Sequence, residues 1–74
     1  MKEYEVVMEE MTPCGGKRYK STNVIEVQAE SPESYVTKEG RYPILETIED
    51  MDGSVRIRTG DGNGYFIVYT FTEI

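Results

Sequence analysis

Alternation between apolar and polar positions runs through most of this chain. In residues 3–11, EYEVVMEEM, Tyr4, Val6 and Met8 fall on one side and Glu5, Val7 and Glu9 on the other. That two-residue period is the mark of a strand with one wet face. Thr12-Pro13 is expected to end it, because proline has no N–H for a ladder. Residues 13–18, PCGGKR, read as a loop whose paired glycines are free to take positive φ. The alternation resumes over residues 19–29, with Ile25, Val27 and Ala29 on one face and Val24, Glu26 and Gln28 on the other. The simplest partner for this second strand is the first.

A different signal follows. Ser31 at a cap position, Pro32 at the first helical position and Glu33 in the first turn predict a helix over about residues 32–39. Ser34 stands where a capping box would have Glu or Gln, and Gly40 is the stop. Two turns of helix are marginal without packing, so Tyr35 and Val36 have to dock it onto the sheet.

Three more apolar-rich runs lie in residues 41–51, 54–59 and 65–72. Asp52-Gly53 and the run Gly60-Asp61-Gly62-Asn63-Gly64 separate them. Such spacing predicts a three-stranded antiparallel meander. Strict alternation puts Ile44 and Ile48 on one face of the first run, with Leu45 and Thr47 opposite. In the second, Val55 and Ile57 point in and Arg56 and Arg58 out. The last run is apolar on both sides: Tyr65, Ile67, Tyr69 and Phe71 on one, Phe66 and Val68 on the other. It is the expected central strand. The sum is an α+β fold, a small antiparallel sheet of about five strands in the order β-β-α-β-β-β with one short helix packed on it. The sheet is either open and twisted or curled toward a barrel. The reading is one domain over residues 1–74, without linker or targeting segment.

Composition narrows the function. A chain of 74 residues buries only about 60% of its unfolded surface, which leaves little room for a deep substrate cleft. There is no histidine, so the commonest general base and metal ligand is missing and no Ser-His-Asp or Cys-His set can be assembled. A single cysteine, Cys14, excludes an internal disulfide and fits a cytoplasmic protein. No stretch of about 18 apolar residues is present to span a membrane. Fourteen acidic against eight basic residues give a net charge of −6. That balance disfavours a nucleic-acid backbone or an anionic membrane and suits a protein partner with a basic surface.

Four constellations carry candidate chemistry. Asp50, Asp52, Asp61 and Asn63 supply oxygens of the kind calcium uses, but neither turn completes an EF-hand loop, and hairpin turn chemistry explains them more simply. Cys14 beside Lys17 and Arg18 suggests a reactive thiol, yet no histidine is there to serve as its base, and a solvated loop is the plainer account. No cofactor or metal is expected. The strand and turn carboxylates, among them Glu5, Glu9, Glu26, Glu46, Glu49, Asp50 and Asp52, are spaced to imitate phosphates or simply to wet a sheet face. Tyr65 and Tyr69 are suited to an interface or to core filling, the second being favoured in a chain without tryptophan.

The expected function is a small, acidic, non-enzymatic protein-binding module built on those carboxylates with Tyr65 and Tyr69. In size and charge, though in no motif, the chain resembles the inhibitors that phages direct at nucleic-acid enzymes. Two alternatives remain. One is a self-associating structural protein, a homodimer formed through the two-faced last strand. The other, disfavoured by charge, is a single-stranded nucleic-acid binder using Arg56, Arg58 and the aromatics.

Overall fold

The computed structural model describes residues 1–14 and 17–74, and the side chains of residues 12–14 and 17–20 lie outside that description. The Cys14 thiol, and with it the reactive-thiol reading, therefore lies outside that description. Five strands, β1 (Lys2–Cys14), β2 (Lys17–Ala29), β3 (Ile44–Glu49), β4 (Val55–Gly60) and β5 (Phe66–Glu73), and one helix, α1 (Pro32–Glu39), follow in the order β-β-α-β-β-β. They form one antiparallel sheet of spatial order β2-β1-β5-β4-β3. The sheet stays open, with β2 and β3 as its two edges, and does not close into a barrel.

β5 is central because both of its faces are apolar and both of its sides are paired. Val6 faces Phe71 across β1–β5, and Val55 faces Phe71 across β4–β5. On the inner face Tyr4, Val6, Ile57, Ile67, Tyr69 and Phe71 are buried. The Phe71 ring is 1% exposed and sits among three tyrosines. Tyr4 and Tyr35 meet it edge-on at 5.7 and 5.8 Å between centroids, and Tyr69 stacks at 6.3 Å. Such edge and offset contacts add to plain area burial. Thr59, also buried, donates its hydroxyl to the Ile67 carbonyl at 2.8 Å, so its polar atom is not stranded.

The helix forms where the sequence signals it. Ser31 accepts from the Ser34 N–H, Pro32 opens the first turn, and Val36 and Tyr35 pack onto the core. Gly40 stops it for a reason other than the one expected. Its φ of −73° is ordinary, but a Cβ there would press on the Val36 carbonyl oxygen that Gly40 N–H already contacts.

Two local readings are corrected. β1 does not end at Thr12-Pro13 but runs on to Cys14, and β2 begins at Lys17. Pairing of β1 with β5 stops at Met11, so beyond that point β1 has a neighbour on one side only and a missing N–H can face away from the ladder. The other correction is in β3, where a register shift lies between Ile44 and Glu46. The extra residue reverses the alternation. Ile44 pairs with the buried Thr59, Ile48 pairs with the outward Arg56, and Thr47 lies opposite the buried Ile57. Ile44 and Ile48 are therefore on opposite faces.

Candidate functional site

The helix covers only the inner face, and the other face of the sheet is open. The pairing register sets its rows. One row reads Val24, Val7, Thr70, Arg56, Ile48 from β2 to β3, and the next reads Thr22, Glu9, Val68, Arg58, Glu46. A third places Glu26 directly opposite Glu5, followed by Thr72. Carboxylates of Glu3, Glu5, Glu9 and Glu26 lie on β1 and β2 and that of Glu46 on β3, the guanidinium groups of Arg56 and Arg58 lie on β4, and Val7, Val68 and Thr70 lie between the two sets or at their margin.

Like charges directly opposite on neighbouring strands destabilise a sheet, by tenths of a kcal/mol up to about 1. Glu5 and Glu26 are such a pair. Among the described residues neither carboxylate holds an ion pair or hydrogen bond, and neither does Arg56 or Arg58. Glu3 is engaged by the Gln28 amide at 3.2 Å. Arg58 and Glu46 are register partners without forming an ion pair. The alternation made the outward direction of Glu5, Glu26, Arg56 and Arg58 legible, but not that of Glu46, which lies past the register shift in β3. That the arginines share a face with Glu5 follows only from the strand order.

The remaining sequence candidates are placed elsewhere. Glu49 pairs with Val55 at the exposed β3 edge, and Asp50 and Asp52 lie in the β3–β4 turn. That turn works as turn chemistry. Ser54 donates its N–H and its hydroxyl to Asp52 Oδ1 at 2.9 and 2.7 Å, Gly53 takes φ 90°, and Asp50 Oδ2 lies 3.3 Å from the Ser54 hydroxyl. Asp61 does the same in the next turn, accepting from Asn63 N–H at 2.7 Å and Tyr65 N–H at 3.2 Å. Among the described residues no group of three metal-ligating side chains gathers.

The two bonds from Ser54, side chain first and backbone second, hold the Asp52 carboxyl below the usual range for an aspartate. A carboxylate depressed by folding contributes stability above its unfolded pKa, and that contribution is lost as the pH falls through the folded value. Urea midpoints measured as the pH is lowered below about 4 should therefore fall more steeply in the wild type than in Asp52→Ala. Parallel acid limbs in the two proteins would show that the Ser54 bonds do not stabilise the charged form.

The tyrosines part company. Tyr69 is a core residue, 3% exposed, because its position in β5 has the inward parity of Ile67 and Phe71. It cannot contact a partner as the sequence reading proposed. Burial pushes its phenol up, Tyr35 adds to that, and Arg41 opposes it. Tyr65 is exposed and lines a shallow recess of about 130 Å³ with Glu10, Arg41, Tyr42 and Phe66. There Arg41 bridges to Glu10 and lies over the Tyr42 ring at 5.9 Å. Sequence reading missed Arg41, whose partner is 31 positions away and leaves no local signal. Both charges are matched within the chain, and the recess is small beside the roughly 300 Å³ at which ligand pockets begin.

No helix among the described residues is long and apolar enough to cross a membrane. Compared with known proteins, the chain matches no family model, no curated protein and no solved structure.

Proposed function

We propose that this protein is a non-enzymatic protein-binding module whose working surface is the open face of its sheet, with the β1–β2 carboxylates receiving cationic side chains of a protein partner. One observation carries the reading: Glu5 and Glu26 stand directly opposite each other on that face, and neither has a partner among the described residues. A cation placed between them would offset a repulsion that the free fold retains.

Extended mimicry of nucleic acid, the mode by which an inhibitor would fill a basic groove, receives less support. Val7 interrupts the row of carboxylates on β1, and Arg56 and Arg58 set positive charge on the same face. The favoured partner contact is therefore local, a pair of cations at strand spacing. The same face argues against a stacking platform for single strands, since the two arginines share it with the carboxylates of Glu5, Glu26 and Glu46.

A decapeptide of alternating arginine and threonine presents cations at that spacing and serves as the probe. In amide chemical-shift mapping at low salt, shifts are expected around Glu3, Glu5, Val7 and Glu26. They should weaken severalfold at high salt and vanish in Glu5→Gln/Glu26→Gln. Shifts scattered over the whole chain, or unaffected by salt, would remove this reading.

A further inference from the structure

We propose that β2 takes an extended segment of another protein as an added strand, with a cation of that segment facing Glu26 and Glu5. This rests on the reading of the β1–β2 carboxylates as a binding surface and names the form of the partner. The direction of the β2 backbone carries it. The Glu3 carbonyl accepts the Ile74 N–H at 2.9 Å, so the backbone groups of Glu3 face the β5 side. Those directions alternate along a strand, and opposed residues of an antiparallel ladder exchange bonds in every second pair. Glu5 and Val7 therefore also bond toward β5, and Tyr4 and Val6 bond toward β2. On β2 the bonded partners are Val27 and Ile25. The N–H and C=O groups of Thr22, Val24, Glu26 and Gln28 then point away from the sheet. The far side agrees: the same parity carried through Met11, Phe66 and Gly60 turns Gly60 N–H toward β3, where it donates to the Pro43 carbonyl at 3.2 Å. β2 is an edge, and among the described residues nothing takes up its outward groups.

The two edges differ. β3 is six residues long, has a register shift between Ile44 and Glu46, and follows Pro43. Short strands, bulges and prolines keep an edge from being paired. β2 has no such guard. It pairs with β1 in unbroken register from Lys17 to Ala29. Its residues 21–29, STNVIEVQA, hold no proline and one charged side chain, Glu26. An edge of this kind suits strand addition, in which main-chain bonds give affinity and alternate side chains give selection.

The side chains define the segment. The outward-bonding residues of β2 are those whose side chains lie on the open face. Residues opposite them in an added antiparallel strand put their side chains on that face too, about 5.5 Å away between Cα atoms. One of these falls beside Glu26, with Glu5 one strand further in, about 4.8 Å. Neither carboxylate has a cation among the described residues. Arginine or lysine fits there, whereas an acid would bring a third like charge. The intervening residues of the segment fall on the inner side, next to Ile25 and Val27, which are partly buried against the core. β-Branched residues suit those positions.

The decapeptide of alternating arginine and threonine meets this description, and amide hydrogen exchange reads the ladder directly. In the free protein the Val24 and Glu26 amides should exchange fast, and those of Ile25 and Val27, bonded to β1, slowly. Saturating peptide should slow Thr22, Val24, Glu26 and Gln28 at least about tenfold and leave Ile25 and Val27 as they were. Peptide N-methylated at its arginines loses the donors that face β2 and should bind at least about tenfold more weakly than peptide N-methylated at its threonines. Val24→Pro removes an outward donor and no bond to β1. Once circular dichroism shows that it folds, it should lose binding to a similar degree.

Equal binding of the two methylated peptides would overturn strand addition and leave the carboxylate reading in place. So would shifts around Glu5 and Glu26 without protection at every second residue. Alternating protection that survives in Glu5→Gln/Glu26→Gln would overturn the carboxylate reading and the cation with it, while the edge still pairs. Protection of the same amides in the protein alone, rising with its concentration, would give the edge to a second copy and overturn a foreign segment. A peptide that does not bind at all removes both.

Discussion

Phe71→Ala is expected to cost about 3–5 kcal/mol of folding stability, the usual range for deleting a buried phenylalanine ring. The ring is 1% exposed, and its removal strips the contact surface from Tyr4, Tyr35 and Tyr69 together. A sheet covered by one two-turn helix has little freedom to collapse into the void, which places the cost toward the upper end. A domain of this length holds roughly 4–11 kcal/mol in all, so the variant should be largely unfolded or have a greatly lowered urea midpoint. Chemical denaturation followed by circular dichroism measures it, with Phe71→Leu as a smaller change. A loss below about 1 kcal/mol would mean that the tyrosine cluster does not hold the core.

Val36→Asp should be comparably severe, by another route. Val36 is 1% exposed and is the buried anchor of α1. A carboxylate at that position has to ionise in an apolar setting, stay protonated, or pull the helix off the sheet. Removing the helix uncovers the inner face, including the edge of Phe71 that Tyr35 covers. The expected loss is about 3–5 kcal/mol, larger than the roughly 2 kcal/mol of Val36→Ala. A pH signature separates the two variants. The buried carboxyl has its pKa raised in the folded state, so its penalty is smallest at acidic pH and grows as the pH rises through the ordinary carboxylate range. The Val36→Ala deficit should not follow that course. Equal deficits in both variants at every pH would show that the helix end does not exclude water.

Much of this architecture was legible because single residues carried unambiguous signals. Ser31, Pro32 and Gly40 bounded the helix, since capping, a fixed φ and a stop are local effects. The run ending at Phe71, rich in β-branched and aromatic residues, announced a strand inside the sheet rather than at its edge. Ile48 was misplaced because alternation assumes an unbroken ladder, and the extra residue near Leu45 is a property of two paired strands rather than one. Pro13 was misread for a related reason: its cost depends on whether a neighbour sits on that side. Tyr65 and Tyr69 look alike in sequence, four residues apart with the same parity. They separate only because β5 begins at Phe66 and leaves Tyr65 at the turn. For the open face, the outward direction of the side chains on β1, β2, β4 and β5 could be read, but those on β3 and the grouping of charges could not. That grouping arises from β5 lying between β1 and β4, a non-local pairing that no window of sequence contains.

The position of β5 also governs when this molecule can fold. The strand that unites the sheet is synthesised after the four it joins or follows. Until it leaves the ribosome, the β1–β2 hairpin has an unpaired inner edge and the β3–β4 hairpin has another, with no ladder between them. Both halves then present bare backbone and half of a core while translation continues at about 5–20 residues per second. Closure has to join β1 to β5 across most of the chain, from Tyr4 to Glu73, the kind of distant pairing that makes small β proteins fold in milliseconds to seconds. A nascent chain truncated before Phe66 therefore exposes two strand edges that the finished sheet pairs, and the carboxylates along β1 are of the kind that discourage such an edge from pairing with other chains.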